Sequence, residues 1–141
     1  MSEPPLRGGC ACGFVRYEIV PPARFVAHCH CENCRRAHGA GFVTYAGIPL
    51  ERYRLVEGEA RVVRWRTDTD ATRSFCGTCG TTFLYEGPRW PGEVHVVVGT
   101  LIDPPPSMPN VHAYADRAPA WCPITDDLPR YGGETGSEPL G

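Results

Sequence analysis

Phe75-Cys76-Gly77-Thr78-Cys79-Gly80 sets two thiols three positions apart on a backbone whose glycines admit left-handed turns. Two further cysteine groups stand upstream, Cys10-Ala11-Cys12 and Cys29-His30-Cys31-Glu32-Asn33-Cys34. Thiols one or two residues apart on turn-rich backbone present sulfur to a tetrahedral zinc, so the three groups predict a chain stapled by metal. Seven of the eight cysteines belong to them. Four sulfurs close one structural site, and the other three leave a second zinc with an open position, the coordination of a catalytic metal. Spacing alone does not say which pairs share an ion. Cys10/Cys12 with Cys76/Cys79 would staple the first strand to the middle of the sheet, while Cys29/Cys31 with Cys76/Cys79 suits zinc equally well.

Length and composition bound the rest. A chain of 141 residues and 15.5 kDa fits one domain, large enough for a core and small enough for metal staples to help it. Its hydrophobic share of 42% and charged share of 21% are those of a globular protein, not a disordered one. All 14 basic residues are Arg, yet the net charge is -2. That balance lacks the electrostatic footprint of a nucleic-acid binder, and the cysteine groups are not read as DNA-binding fingers. Met1-Ser-Glu-Pro-Pro-Leu-Arg7 has no apolar export signal, and no apolar run reaches the ~18 residues of a membrane span. The expected setting is therefore a reducing cytoplasm, where cysteines favour metal over disulfides.

Short runs of β-branched and aromatic residues bounded by Gly, Pro or charge predict strands at Phe14–Val20, Gly41–Ala46, Ala60–Trp65, Thr81–Tyr85 and Glu93–Val98. Arg24–His28 and Asn110–Tyr114 are two further candidates. One helical turn is predicted, at Glu32–His38, carrying Cys34. The fold class is mainly β, an antiparallel arrangement with Gly and Pro in its turns. Pro104-Pro-Pro-Ser-Met-Pro109 reads as a stiff loop and residues 132–141 as a disordered tail.

Gly8-Gly-Cys-Ala-Cys-Gly-Phe-Val-Arg-Tyr17, Cys29-His-Cys-Glu-Asn-Cys-Arg-Arg36 with Gly39-Ala-Gly-Phe42, Phe75–Gly80, Ala118-Pro-Ala-Trp121 and Asp127-Leu-Pro-Arg-Tyr131 together resemble the family of glutathione-dependent formaldehyde-activating enzymes and centromere protein V. The motifs keep the family's order and cover about residues 7–131. The resemblance implies a single zinc-bound domain of the β-tent type. It also implies a structural zinc on Cys10, Cys12, Cys76 and Cys79, and a second zinc on Cys29, Cys31 and Cys34 open to a thiol. Family members usually carry another residue where this chain has Cys122 after the Trp.

The chemistry such a second site offers is simple. Zinc keeps a bound thiol deprotonated, whereas a free thiol with a pKa near ~8.5 is mostly protonated at neutral pH. Cys29, Cys31 and Cys34 are thus the catalytic candidates, and the resemblance implies a carbon-sulfur lyase type enzyme joining or releasing formaldehyde or another small electrophile at a thiol such as glutathione. Arg35 and Arg36 follow directly, as forks for the thiol's carboxylates or as plain surface charge. A bland alternative completes the second zinc with Cys122 or a His and leaves a binding module with two structural zincs. A redox or thiol-transfer protein using Cys122 is a third class. On a strand His30 would turn away from the face shared by Cys29 and Cys31, which makes it a supporting or surface residue rather than a ligand. Trp121 and Phe42 are candidates for the pocket wall or the core. His95 alternates with valines as a paired strand residue, and His112 has no evident role.

Overall fold

The computed structural model of the chain describes residues 4–140. Met1-Ser-Glu3 of the stretch read for an export signal, and Gly141 of the predicted tail, lie outside the described residues. The chain is mainly β, with one α-helix among the described residues. No helix there is long and apolar enough to cross a membrane. The contacts group into two compact units. One comprises the chain up to Arg24 together with Ala46–Ser107, the other Phe25–Tyr45 together with the chain from Met108 onward.

The first unit holds two antiparallel arrangements. In one, β1 (Leu6–Gly9) pairs β2 (Arg16–Ile19), which pairs β5 (Tyr53–Glu57). The other is a meander of β6 (Val62–Arg66), β7 (Thr72–Cys76), β8 (Thr82–Glu86) and β9 (Glu93–Val97). Its core gathers Val15, Tyr17, Ile19, Ile48, Phe83, Val94 and Val96, all buried, with Tyr17 stacked on Phe83 at 5.9 Å between ring centres. Burial of each such side chain contributes about 1.5–3 kcal/mol. Tyr17 also sits where a Cβ on Gly8 would be, so only glycine lets β1 approach β2 there.

In the second unit β3 (Phe25–Cys29) pairs β10 (Val111–Ala113) in parallel, the one departure from the antiparallel expectation among the registered pairs. β4 (Val43–Pro49) begins in this unit and ends in the first. The helix α1 spans Glu32–His38, as the sequence predicts. Cys31 caps its start in an extended conformation, and Gly39 with φ 61° ends it. Glu32 in its first turn and Arg35, Arg36 and His38 in its last suit the helix dipole. Residues 131–140, most of them predicted as tail, include a short hairpin in which β11 (Tyr131–Gly132) pairs β12 (Glu138–Pro139).

Every predicted strand exists, with shifted ends. β1, β5 and β7 were not foreseen, and β7 shows why. Its sequence Thr-Arg-Ser-Phe-Cys lacks apolar alternation, yet Arg73 and Ser74 are buried, Arg73 with its guanidinium 4.9 Å from the centre of the Tyr85 ring.

Candidate metal centres

Cys10 and Cys12 lie in the turn from β1 to β2, while Cys76 ends β7 and Cys79 lies in the turn to β8. Both turns are shaped by glycine. Gly13 has φ 87° and its N–H donates to the Cys10 carbonyl at 3.1 Å, and Gly80, φ 80°, donates to the Cys76 carbonyl at 2.7 Å. The Val15 N–H donates to Cys10 Sγ at 3.2 Å. Sulfur separations are 3.5 Å for Cys10–Cys12 and 3.7 Å for Cys12–Cys76, and all four sulfurs lie within 4.8 Å of one another. Zn–S bonds of about 2.3 Å in a tetrahedron put sulfurs about 3.8 Å apart, so this donor set fits zinc. Thr81 braces the site, its hydroxyl accepting the Ala11 N–H at 3.0 Å and standing 3.3 Å from Cys79 Sγ. Hydrogen bonds from Thr81, side chain first and then backbone, hold the Cys79 thiol down to about 5, which favours the ligating thiolate.

In the second unit Cys29 closes β3, Cys31 caps α1 and Cys34 stands in the first helical turn. The cap itself folds the group, because Cys31 Sγ accepts the Cys34 N–H at 3.3 Å. Cys29 and Cys34 sulfurs are 3.5 Å apart, and the three sulfurs lie within 4.8 Å of one another. The Tyr45 hydroxyl donates to Cys34 Sγ at 3.3 Å. Hydrogen bonding with Cys31 and Cys34, then burial, push the Cys29 thiol far up, since three close sulfurs cannot all ionise without a cation among them. With a cation present the same crowding favours binding it, and the donor set fits zinc. None of the eight cysteines forms a disulfide, and Cys122 joins neither group.

The histidines that flank the sulfurs have another partner. His30 is 2% exposed, and its Nε2 lies 2.8 Å from His112 Nδ1. His112 Nε2 lies 2.8 Å from Asp126 Oδ1. Asp126 accepts, so His112 Nε2 carries the proton, its Nδ1 accepts, and His30 Nε2 donates. That order leaves His30 Nδ1 an acceptor, buried and without a hydrogen-bond partner among the described residues. Burial, then His112 and His28, lower His30 to about 4. His28 Nδ1 meets the Thr44 hydroxyl at 2.7 Å, and the Phe42 ring packs edgewise on His28 at 5.0 Å.

Other candidates fall differently. Arg35 is half-buried, its Nε donating to the His30 carbonyl at 3.3 Å, while Arg36 is exposed. Trp121 is 71% exposed and Phe42 39%, so neither is a core residue. His95 is buried in β9 with Nε2 2.6 Å from Glu93, whose other oxygen accepts from Arg24 at 2.9 Å. Sequence reading missed Tyr45, Thr81 and Asp126. Tyr45 had a signal, the period-two face it shares with Val43 in a predicted strand. Asp126 had none.

The family profile described as glutathione-dependent formaldehyde-activating enzyme matches residues 5–117. The chain belongs to this family. A relative from Halomonas elongata, provisionally named a glutathione-dependent formaldehyde-activating enzyme, is 28% identical over 84% of this chain and 80% of its own length. An uncharacterized lyase of Schizosaccharomyces pombe is 27% identical over 58% of each chain. Among solved structures, a Rhodobacter sphaeroides protein is similar with a TM-score of 0.60 and 29% identity, covering 72% of this chain and 92% of its own. The family match spans all seven grouped cysteines, together with Tyr45 and His112.

Proposed function

We propose that the protein is a zinc-dependent enzyme of the carbon-sulfur lyase type, joining or releasing a small electrophile such as formaldehyde at the sulfur of glutathione or a similar thiol. The β-tent fold, a closed structural zinc on Cys10, Cys12, Cys76 and Cys79, a second zinc on Cys29, Cys31 and Cys34, and a cytoplasmic setting belong to the same reading. The observation that carries it is the second sulfur group. Three thiols converge in the second unit, and among the described residues no fourth His, Cys, Asp or Glu joins them. Family membership and the names of the relatives supply the substrate class.

Zinc held there supplies the positive charge that keeps a thiol ionised at neutral pH. Cys29, Cys31 and Cys34 hold the ion, with Cys31 and Cys34 both tied to α1 and so fixed relative to each other. Arg35, anchored on the His30 carbonyl, and the exposed Arg36 orient the carboxylates of the thiol. The reaction balances as addition. The thiol sulfur bonds to the carbonyl carbon, the carbonyl π pair moves to oxygen, and the thiol proton ends on that oxygen; release breaks the same carbon-sulfur bond.

The test is the exchange rate between 13C-formaldehyde and its glutathione adduct, followed by NMR with and without zinc-loaded protein. Acceleration by the wild type and its loss in Cys34→Ser are expected. An unchanged rate with the fully loaded wild type would overturn the enzyme reading in favour of a zinc-stabilised binding module.

A further inference from the structure

We infer that Tyr45 tunes the second metal centre by donating a hydrogen bond to its Cys34 thiolate, acting as a positioning residue. The inference rests on the reading that Cys29, Cys31 and Cys34 hold a metal ion, though not on the reaction catalysed there.

Tyr45 lies on β4 and is 4% exposed, and its hydroxyl reaches Cys34 Sγ at 3.3 Å. Its ring meets His38, on the last turn of α1, edge to face at 6.3 Å. Phe would fill the same volume without a polar atom to bury. A buried hydroxyl needs a partner, and this one is directed at a sulfur of the candidate site. The electrostatics make the placement purposeful. Three thiolates around one divalent cation carry net negative charge, which weakens the ion as an acceptor for a further thiol. Donors aimed at the sulfurs withdraw part of that charge. Such donors are the Cys34 N–H on Cys31 and the Tyr45 hydroxyl on Cys34. The first donor is backbone and part of the helix cap. Only the second can be changed by a side-chain substitution.

The experiment places zinc in the first group and cobalt in the second, and compares the wild type with Tyr45→Phe. A hydrogen bond lowers the energy of the thiolate donor orbital, so its loss should move the sulfur-to-cobalt charge-transfer band to lower energy. Metal affinity of the second group should fall roughly 10- to 100-fold, with the first group unchanged. Replacing Tyr45 by 3-fluorotyrosine, which keeps the ring and strengthens the donor, should move the band the opposite way and serves if the Phe variant folds poorly. A band that stays in place in variants loaded with one cobalt per chain overturns the role of Tyr45 while leaving the metal centre standing. Failure of the wild type to take up cobalt at the second group overturns both, and is recognised by stoichiometry rather than by an unshifted band.

Discussion

His30 and His112 meet nitrogen to nitrogen at 2.8 Å, and both are almost fully buried. The parallel pairing of β10 with β3 creates the contact, since it sets His112 beside His28 and Ala113 beside Cys29. The His30 N–H in turn donates to the Ala113 carbonyl at 3.0 Å. A residue flanked by two candidate ligands is thereby held by backbone on one side and by a ring on the other.

Asp126 anchors that chain, and its carboxyl is held below the ordinary range first by the hydrogen bond from His112 and then by the Leu128 N–H. Other groups facing it are His28 and Arg130, the latter donating to its backbone carbonyl. A carboxylate with a depressed folded-state pKa adds stability above the unfolded value, near ~3.9, and loses it as pH falls through the folded value. Wild type should therefore be more stable than Asp126→Asn at pH 6, and the difference should shrink below about pH 4. Urea midpoints of both proteins across this range check it. A difference of equal size at pH 6 and pH 2 would contradict the assignment.

Zinc content should be two ions per chain, unequally held. On the proposed reading a four-sulfur group would close on itself and contribute to folding, whereas a three-sulfur group would exchange a ligand, so a chelator should strip the second first. Cys122→Ser should leave both the count and the order unchanged, because Cys122 belongs to neither group. Elemental analysis during stepwise chelation measures this, and one zinc per chain would refute it.

The two groups should also differ under substitution. Cys79→Ser breaks a site that ties the β1–β2 turn to the β7–β8 turn, and soluble expression should be largely lost. Cys34→Ser should yield a folded protein lacking about one zinc. Equal loss of soluble protein in the two variants would remove the distinction between them.

Glutathione binding should depend on arginine where binding of an uncharged thiol does not. If Arg35 and Arg36 hold the carboxylates as proposed, Arg35→Ala with Arg36→Ala would remove charge-assisted hydrogen bonds worth about 1.5–3 kcal/mol each, so affinity for glutathione should drop roughly tenfold or more. Mercaptoethanol should bind the variant as it binds the wild type. Calorimetry with both thiols tests the pair, and parallel losses would point to damage at the metal rather than at the carboxylate contacts.

Gly41 lies against Cys122, whose Sγ would be 2.5 Å from a Cβ placed there. Gly41→Ala should therefore destabilise the protein by about 1–3 kcal/mol, as overpacking does, and Cys122→Ala should recover part of the loss. Melting of the single and double variants measures the coupling. Additive effects would show that the two residues do not touch.

Much of the chain could be read without coordinates where a local rule applied. Glu32–His38 forms the predicted helix because its cap, its charges and Gly39 are all within a few residues of it. The seven grouped cysteines declare themselves by spacing, since ligands in pairs need only a turn to converge. Spacing could not say that Cys10/Cys12 and Cys76/Cys79 share a site, because that depends on strands far apart in sequence; the fold brings those four sulfurs together. β7 escaped notice because Arg73 and Ser74 are polar yet buried, Arg73 with its guanidinium over the Tyr85 ring, a partner set by the fold. Tyr45, His112 and Asp126 likewise acquire their roles from partners 11, 82 and 14 positions away. Ligand type and local turns are short-range properties of the chain. The hydrogen bonds that orient those ligands are made across it, and only tertiary structure decides them.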